Sequence, residues 1–259
     1  MFPEARRNFI IEILLKNKKA MVSELAKTLK VSEETVRRDL TTLEKQGLIV
    51  KSYGGAILKG NPGSTFDMIT DISERKDTNL AIKDLIAGRA AQMVHEGQAI
   101  LLDAGSTTVR MIKYLSHLKS LTIITTSIDV AMECSSHIRH WEVLVTGGKL
   151  YKSFNLISST TAAELKSYTV DLAFMGSSGL VLSSGFTCSD IYEAEAKEAM
   201  LSIAKKKILL MDETKFGHKG IRVFAPFHQV DTLITSGGAP KEALKILRKA
   251  IPQVIVCEE

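Results

Sequence analysis

Cysteine and long hydrophobic runs are scarce in this chain of 259 residues. The three cysteines are widely spaced, odd in number and free of any CxxC pair, which argues against a disulfide framework and indicates reduced thiols. No segment approaches the ~18 uninterrupted apolar residues of a membrane helix, and Glu4 interrupts the start of the chain, so we expect neither a membrane span nor a signal peptide. With 45% hydrophobic residues, the composition favours a cytoplasmic globular protein with a sizeable core.

One cluster of metal-ligand residue types occurs, in the segment CSSHIRH. Cys134, His137 and His140 follow one another at intervals of three residues. Steps of three drift around a helix, and no fourth ligand lies nearby in the sequence. We therefore predict no metal site and no cofactor.

The excess of positive charge is confined to the first quarter of the chain. Residues 1–60 contain 12 Lys and Arg against 7 Asp and Glu, whereas residues 61–259 contain 22 of each class. Such asymmetry indicates that the amino-terminal part binds a polyanion, such as a nucleic acid. The alternative is a solvated basic face without a partner.

Hydrophobic spacing in the first 60 residues predicts three short helices followed by a β-hairpin. Apolar stripes at helical spacing lie on both sides of the polar turn KNKK. Ser32 is a suitable N-cap for the third helix, and Val31 with Val36 occupies the two positions of a hydrophobic staple. Leu40 and Leu43 continue the buried stripe that Val36 begins. Three helices and a hairpin make a winged helix-turn-helix.

The opposite face of the third helix carries basic residues. Thr35, Arg37 and Arg38 lie outside the apolar stripe, and a helix with one buried and one basic face fits the major groove of DNA. From the hairpin, Lys51 and Tyr53 are placed to reach the sugar-phosphate backbone. The alternatives are solvated arginines and a tyrosine that packs at the base of the wing. The predicted DNA-binding residues are Ser32, Glu34, Thr35, Arg37, Arg38, Lys51 and Tyr53.

Residues 59–77 separate the winged helix from a region of different character. This segment mixes Asn, Pro and Gly with charges and lacks a sustained period, so we predict a linker between a domain at 1–58 and a domain at 78–259. In the second domain, apolar strand-like runs alternate with helical segments, for example EAEAKEAMLSIAKK before KILLMD. This alternation predicts an α/β fold with a mainly parallel sheet covered on both faces.

Small polar residues follow several of the predicted strands. Ligands bind at the carboxyl ends of strands in such sheets, so DAGSTT, TTS, TGGK, MGSSG and DETKF are expected to converge. In DAGSTT, Gly105 lets the backbone approach an anion, and Ser106, Thr107 and Thr108 add hydroxyl donors. A simple helix N-cap is the alternative. The chain has neither Walker A nor GxGxxG spacing at these strands, which disfavours nucleotide binding.

The order and spacing of these motifs resemble the DeoR family of bacterial transcriptional regulators. VSELAKTLKVSEETVRRDLTTLEKQGLIVKSYGGA is similar to its DNA-binding domain, and LLDAGSTT, VTGGKL, VDLAFMGSSGL and LLMDETKFG are similar to its sensor domain. The resemblance implies a sensor fold similar to sugar-phosphate isomerases and a phosphorylated sugar as effector. It implies effector contacts at Asp103, Gly105, Ser106, Thr107, Thr108, Gly147, Gly148, Asp212 and Lys215. Thr126, where the family often has Asn, and Lys197 complete the predicted effector site.

Three functions fit these patterns. An isomerase needs a base and an electrophile, for which Asp171, Glu195 and Lys197 supply residue types, but MGSSGLVLSSG lacks the lysine that the similar isomerases carry in such a stretch. A DNA-bound scaffold would leave the polar strand exits as turn residues only. We favour a non-enzymatic repressor of a sugar-utilisation operon. Because one winged helix covers one half-site, we expect a dimer or tetramer on double-stranded operator DNA.

Overall fold

The chain divides into two units, residues 1–70 and residues 71–259. The computed structural model describes residues 6–7, 9–11, 13–14, 19–45, 49–52, 54–58, 79–137, 140–151 and 154–258. Tyr53 and the predicted linker at 59–77 lie outside the described residues, so the exact boundaries of the two predicted domains stay predictions.

The first unit combines helices with a small antiparallel sheet. Residues 6–7, 9–11 and 13–14 are helical. The other elements are β1 (Lys19–Met21), α1 (Val22–Leu29), α2 (Glu33–Lys45), β2 (Ile49–Ser52) and β3 (Gly55–Leu58). β2 and β3 form the expected hairpin, and β1 pairs with the other edge of β3. These elements confirm the predicted winged helix-turn-helix.

Strand β1 is an element that the hydrophobic spacing did not predict. Its central residue, Ala20, pairs with Ala56 of the wing. A Cβ atom on Gly55 would lie 2.4 Å from the Ala20 carbonyl oxygen, so this close approach of two backbones requires glycine. The pairing depends on residues more than 30 positions apart, which a local pattern does not reveal.

Helix α2 begins as its sequence predicts. The backbone N–H of Thr35 donates to Ser32 Oγ at 3.2 Å, which confirms the N-cap, and Val36 is fully buried. Arg6 Nε donates to Asp39 Oδ2 at 2.5 Å. Because both of these side chains are largely buried, the ion pair ties the first helical segment to α2.

The second unit is built on parallel strands that alternate with helices. The strands are β4 (Ala99–Leu102), β5 (Thr122–Thr125), β6 (Glu142–Val145), β7 (Lys149–Tyr151), β8 (Asn155–Ile157), β9 (Val170–Gly176), β10 (Gly179–Val181), β11 (Gly185–Cys188), β12 (Ala204–Met211), β13 (Arg222–Ala225), β14 (Thr232–Ser236) and β15 (Gln253–Cys257). The helices are α3 (Leu80–Ala91), α4 (Met111–Leu115), α5 (Ile128–His137), α6 (Ser159–Leu165), α7 (Ile191–Ile203) and α8 (Lys241–Ala250). None of the helices in the described ranges is both long and apolar enough to cross a membrane.

Seven of these strands form one parallel sheet in the order β15-β14-β12-β9-β4-β5-β6. Side chains alternate between its two faces. Leu101 and Ala173 belong to the hydrophobic cluster that contains α7 residues such as Met200, whereas Leu102 packs in the opposite cluster with Ile86 of α3. Both faces are therefore covered, which confirms the predicted α/β class.

The second unit differs from the sequence-based expectation in two places. Residues 204–206 were expected to end a helix, but they begin β12, because Ala204 pairs with Val170 and Lys206 with Leu172 of β9. The antiparallel hairpin β7-β8 and the small sheet β10-β11-β13 were also not predicted. Pairing with β9 overrides local helix propensity at the start of β12, whereas β7-β8 and β10-β11 are hairpins between neighbouring segments.

The segment around Cys134 forms part of the core. Cys134 is buried in the cluster that contains α3, and burial raises the pKa of its thiol to about 12. The side chain of His137 lies outside the described residues. Within the described part of the chain, no three His, Cys, Asp or Glu side chains are grouped so that they would hold a metal ion.

Candidate functional site

A cavity opens at the carboxyl ends of β4, β9 and β12, the three neighbouring strands at the centre of the sheet. Three of the five polar strand exits meet there, together with side chains from α5 and α7. The lining residues are Ala104, Gly105, Ser106, Thr107, Thr108, Asp129, Gly176, Ser177, Ser178, Glu193, Lys197, Leu210, Met211, Asp212 and Lys215. The structure thus brings together seven of the eleven predicted effector residues.

A buried ion pair lies beneath this cavity. Asp103 is fully buried and accepts hydrogen bonds from the Ala104 N–H at 2.8 Å and the Gly176 N–H at 3.0 Å. The Lys197 ammonium donates to the same Asp103 carboxylate and, at 3.0 Å, to the Gly176 carbonyl oxygen. Asp103 therefore joins the exits of β4 and β9 to α7. It does not line the cavity itself, so its predicted contact with an effector stays a prediction.

Lys197 keeps its charge in this buried position. Burial opposes ionisation, but the negative charges of Asp103 and Glu193, with a hydrogen bond to Asp103, raise the pKa of Lys197 above its ordinary value. Glu193 Oε1 lies 3.7 Å from Lys197 Nζ. An ammonium group consequently stands at the base of the cavity.

The turn after β4 has the geometry of an anion site. The Thr108 hydroxyl lies 2.6 Å from the Asp103 carbonyl oxygen, and the Val109 N–H donates to the Gly105 carbonyl oxygen at 3.2 Å. In the described part of the chain, the backbone N–H groups of residues 105–108 have no protein acceptor. Together with the Ser106 hydroxyl, these N–H groups are suitable donors for a phosphate.

The exit of β12 contributes groups of both signs. Asp212 accepts from the Thr214 N–H at 2.9 Å and also from the Thr214 hydroxyl, which begins a short 3₁₀ turn that carries Lys215 into the cavity lining. The neighbouring Glu213 accepts a hydrogen bond from the Ser236 hydroxyl. Carboxylates at the cavity can accept hydrogen bonds from sugar hydroxyls, and the lysines can bind an anion.

Three other predicted effector residues do not line the cavity. A Cβ atom on Gly148 would lie 2.8 Å from the backbone of Leu156, and the Gly147 N–H donates to Glu164 at 3.1 Å. Gly148 thus permits the close approach of β8, and Gly147 is hydrogen-bonded to α6. Thr126 is fully buried, and its hydroxyl has no hydrogen-bond partner among the described residues. Their contact with an effector remains a prediction.

Of the predicted DNA-binding residues that the structure describes, Ser32 caps α2, Lys51 lies on β2 of the wing, and the others lie on α2. Arg37 Nη2 is 2.7 Å from Glu33, and Arg38 Nη2 is 3.2 Å from Glu34. We call these four residues, together with the Lys51–Glu44 pair, the recognition surface. Lys51 Nζ lies 3.1 Å from Glu44 and donates to the Thr41 hydroxyl at 3.2 Å, which joins the wing to α2. Hydrogen bonds from the side chain and backbone of Lys51 hold the pKa of Glu44 below its ordinary value.

Sequence reasoning missed several partners of the predicted residues. Asp129, Glu193 and the pair Ser177–Ser178 also line the cavity. Glu193 precedes Lys197 by four residues on a helix, a spacing that signals an ion pair. No local pattern links Asp129 to the turn at 105–108, which we call the anion turn.

The residue types considered for isomerase chemistry are not assembled. Asp171 stands at the amino end of β9, where it accepts from the Ala99 N–H at 3.0 Å and pairs with Lys205 at 2.8 Å. Glu195 is exposed on α7 and does not line the cavity. Only Lys197 of the three reaches the cavity.

Each of the two units matches the model of a known protein family. Residues 6–60 match the model of the DeoR-like helix-turn-helix domain, and residues 78–237 match that of the DeoR C terminal sensor domain. The chain is 34% identical over 259 residues to the HTH-type transcriptional regulator GolR of Listeria innocua, covering 100% of both chains. It is 33% identical to the HTH-type transcriptional repressor GlcR of Bacillus subtilis, covering 91% of this chain and 89% of the relative.

Among solved structures, ribose 5-phosphate isomerase A from Methanocaldococcus jannaschii is 20% identical, with a TM-score of 0.39. The match covers 54% of this chain and spans about half, 55%, of the isomerase chain.

Lys197→Met is expected to lower the free energy of unfolding of the second unit by ~3 to 5 kcal/mol, because it leaves the buried Asp103 carboxylate without its cation. Urea denaturation measures this loss. The pKa of Lys197 is raised, so its contribution is fully present below the unfolded pKa of about 10.4 and is lost only as pH rises through the folded value. The loss should therefore be constant from pH 6 to pH 9.

Lys205→Met is the matched control, because the Lys205 side chain is 70% exposed beside Asp171. An exposed pair contributes ~0 to 1 kcal/mol. Equal losses in the two variants would contradict the structural role of the buried pair.

Proposed function

Because the chain belongs to the DeoR family of transcriptional regulators, we propose that it represses a sugar-utilisation operon and responds to a phosphorylated sugar. The first unit binds operator DNA, and the second unit binds the effector. The repressor name of the Bacillus subtilis relative supports repression. A DNA target also places the protein in the cytoplasm.

The proposal of a phosphorylated sugar as effector rests on the cavity of the second unit. The N–H groups of the turn at 105–108 receive the phosphate, and the Lys197 and Lys215 ammonium groups add positive charge nearby. Asp129, Glu193 and Asp212 are acceptors for the sugar hydroxyls. The cavity thus offers separate surfaces for a phosphate and for a polyol.

We infer that the second unit binds its effector without converting it chemically. Removal of a proton beside a carbonyl group needs a base within hydrogen-bond reach of the substrate. Asp171 and Glu195, two of the three residues considered for that chemistry, do not line the cavity, and we assign the carboxylates that do line it, those of Asp129, Glu193 and Asp212, to binding of sugar hydroxyls. Membership of a family of regulators supports the same conclusion.

On DNA, Arg37 and Arg38 of α2 contact the major groove and Lys51 of the wing contacts the backbone. Both arginines are exposed on the helix that follows the Ser32 cap. One such unit covers one half-site, so the protein acts as a dimer or tetramer.

Arg37→Ala and Arg38→Ala are each expected to weaken operator binding. Loss of a base contact costs ~1 to 3 kcal/mol, and loss of a phosphate contact reduces the slope of log affinity against log salt by about 0.9. Fluorescence anisotropy with a duplex that the wild-type chain enriches from a random-sequence pool measures both quantities. Lys27→Ala on α1 controls for the loss of one positive charge. If both arginine variants keep the wild-type affinity and slope, the assigned surface is wrong.

The effector is identified by thermal shift with pentose 5-phosphates, hexose 6-phosphates and the corresponding free sugars. A ligand at 100 times its Kd should stabilise the protein by about 2.7 kcal/mol. In calorimetric titrations of the best ligand, Ser106→Ala and Lys215→Ala should lose affinity, the latter by ~1.5 to 3 kcal/mol for a charge-assisted contact.

Lys219→Ala, an exposed lysine close to Lys215 in sequence, is the matched control. Equal affinity for the free sugar and its phosphate would refute the phosphate assignment. Unchanged affinity in Lys215→Ala would show that this lysine has no part in binding.

A further inference from the structure

Each basic residue of the recognition surface is paired with a carboxylate. Arg37 pairs with Glu33, Arg38 with Glu34, and Lys51 with Glu44 of the same surface. Both arginine pairs join successive turns of α2 at a spacing of four residues. Although residues 1–60 carry an excess of positive charge, these six side chains cancel one another.

Both arginine pairs are open to solvent, and so to DNA. The side chains of Arg37 and Glu33 are 62% and 47% exposed, and those of Arg38 and Glu34 are 80% and 72% exposed. Such pairs are weak, because water and salt screen them. They lower the net charge around each guanidinium group and favour one direction of it, but they do not fix its position.

Each ion pair occupies only part of its guanidinium group. The contact to the carboxylate runs through Nη2 in both arginines. A guanidinium group has five N–H donors in a planar fork, so donors are left for a second partner. An arginine held in this way can still donate two hydrogen bonds to the O6 and N7 atoms of guanine.

The two kinds of DNA contact respond differently to the carboxylates. Binding without sequence preference comes almost entirely from neutralised phosphates and released counterions, and a neighbouring carboxylate cancels the charge that drives it. Readout of a base edge depends on the direction of the donors, and the carboxylate favours one direction of the guanidinium group.

We propose that Glu33 and Glu34 are specificity-determining residues, which hold Arg37 and Arg38 for base readout and reduce their attraction to phosphates. Glu44 likewise reduces the attraction of Lys51 of the wing to phosphates. This inference rests on the proposed role of the two arginines in DNA binding. It assigns a function to acidic residues on a surface that binds a polyanion.

The test compares Glu33→Gln and Glu34→Gln with the wild-type full chain. The probes are the enriched duplex and a shuffled duplex of equal length, measured by anisotropy between 50 and 200 mM salt. On shuffled DNA, each variant should bind about threefold to fivefold more tightly, with a salt slope steeper by up to about 0.9. On the enriched duplex the gain in affinity should be smaller. The ratio of the affinity for the enriched duplex to that for the shuffled duplex should therefore fall.

Glu24→Gln removes the same charge from an exposed position on α1, outside the recognition surface. It should leave the ratio of affinities unchanged. If the Glu33 and Glu34 variants shift both duplexes by the same factor, or no more than Glu24→Gln does, the inference is wrong.

These outcomes are separate from a failure of the proposed function. If the wild-type chain enriches no duplex, DNA recognition itself fails. If it enriches one but Arg37→Ala and Arg38→Ala bind it normally, the assigned contacts fail. Only when those experiments succeed does an unchanged ratio count against the carboxylates alone.

Discussion

The buried pair of Asp103 and Lys197 is the interaction on which the cavity of the second unit depends. The parallel sheet sets the ends of β4 and β9 side by side, since Leu102 pairs with Phe174. Asp103 then bonds to both strand exits and to the Lys197 ammonium. Burying two charges is costly, and pairing and hydrogen bonds offset that cost. In return, the anion turn is fixed and a positive charge lies at the base of the cavity.

The first unit uses ion pairs for a different purpose. The Asp103 and Lys197 side chains are almost completely buried, whereas the Arg37 and Arg38 pairs are largely exposed. A buried pair holds one geometry, because breaking it leaves an uncompensated charge. An exposed pair exchanges partners readily and is sensitive to salt. The same chemistry therefore provides rigidity beneath the cavity of the second unit and adjustable charge on the recognition surface.

Local patterns predicted the Ser32 cap, the wing and the alternation of strands and helices, because these depend on neighbouring residues. The strand exits could be predicted to lie at one end of the sheet, because parallel strands all end on the same side. The partner of Asp103 lies 94 residues away, however, so its burial beneath the cavity had no local signal. The resemblance implies effector contacts at Gly147 and Gly148, and in the structure these glycines lie beside Glu164 and Leu156 and do not line the cavity. Long-range packing decides which polar residues face the cavity.

We propose that the turn at 105–108 senses a phosphate and thereby controls DNA binding. Anisotropy of a labelled operator duplex bound to the full chain, titrated with the phosphorylated sugar or its free form, tests it most directly. The phosphorylated sugar should change operator affinity at a concentration at least about tenfold lower than the free sugar, and Ser106→Ala should shift the response to higher concentration. Equal potency of the two sugars, or an unaltered response in Ser106→Ala, would contradict the claim.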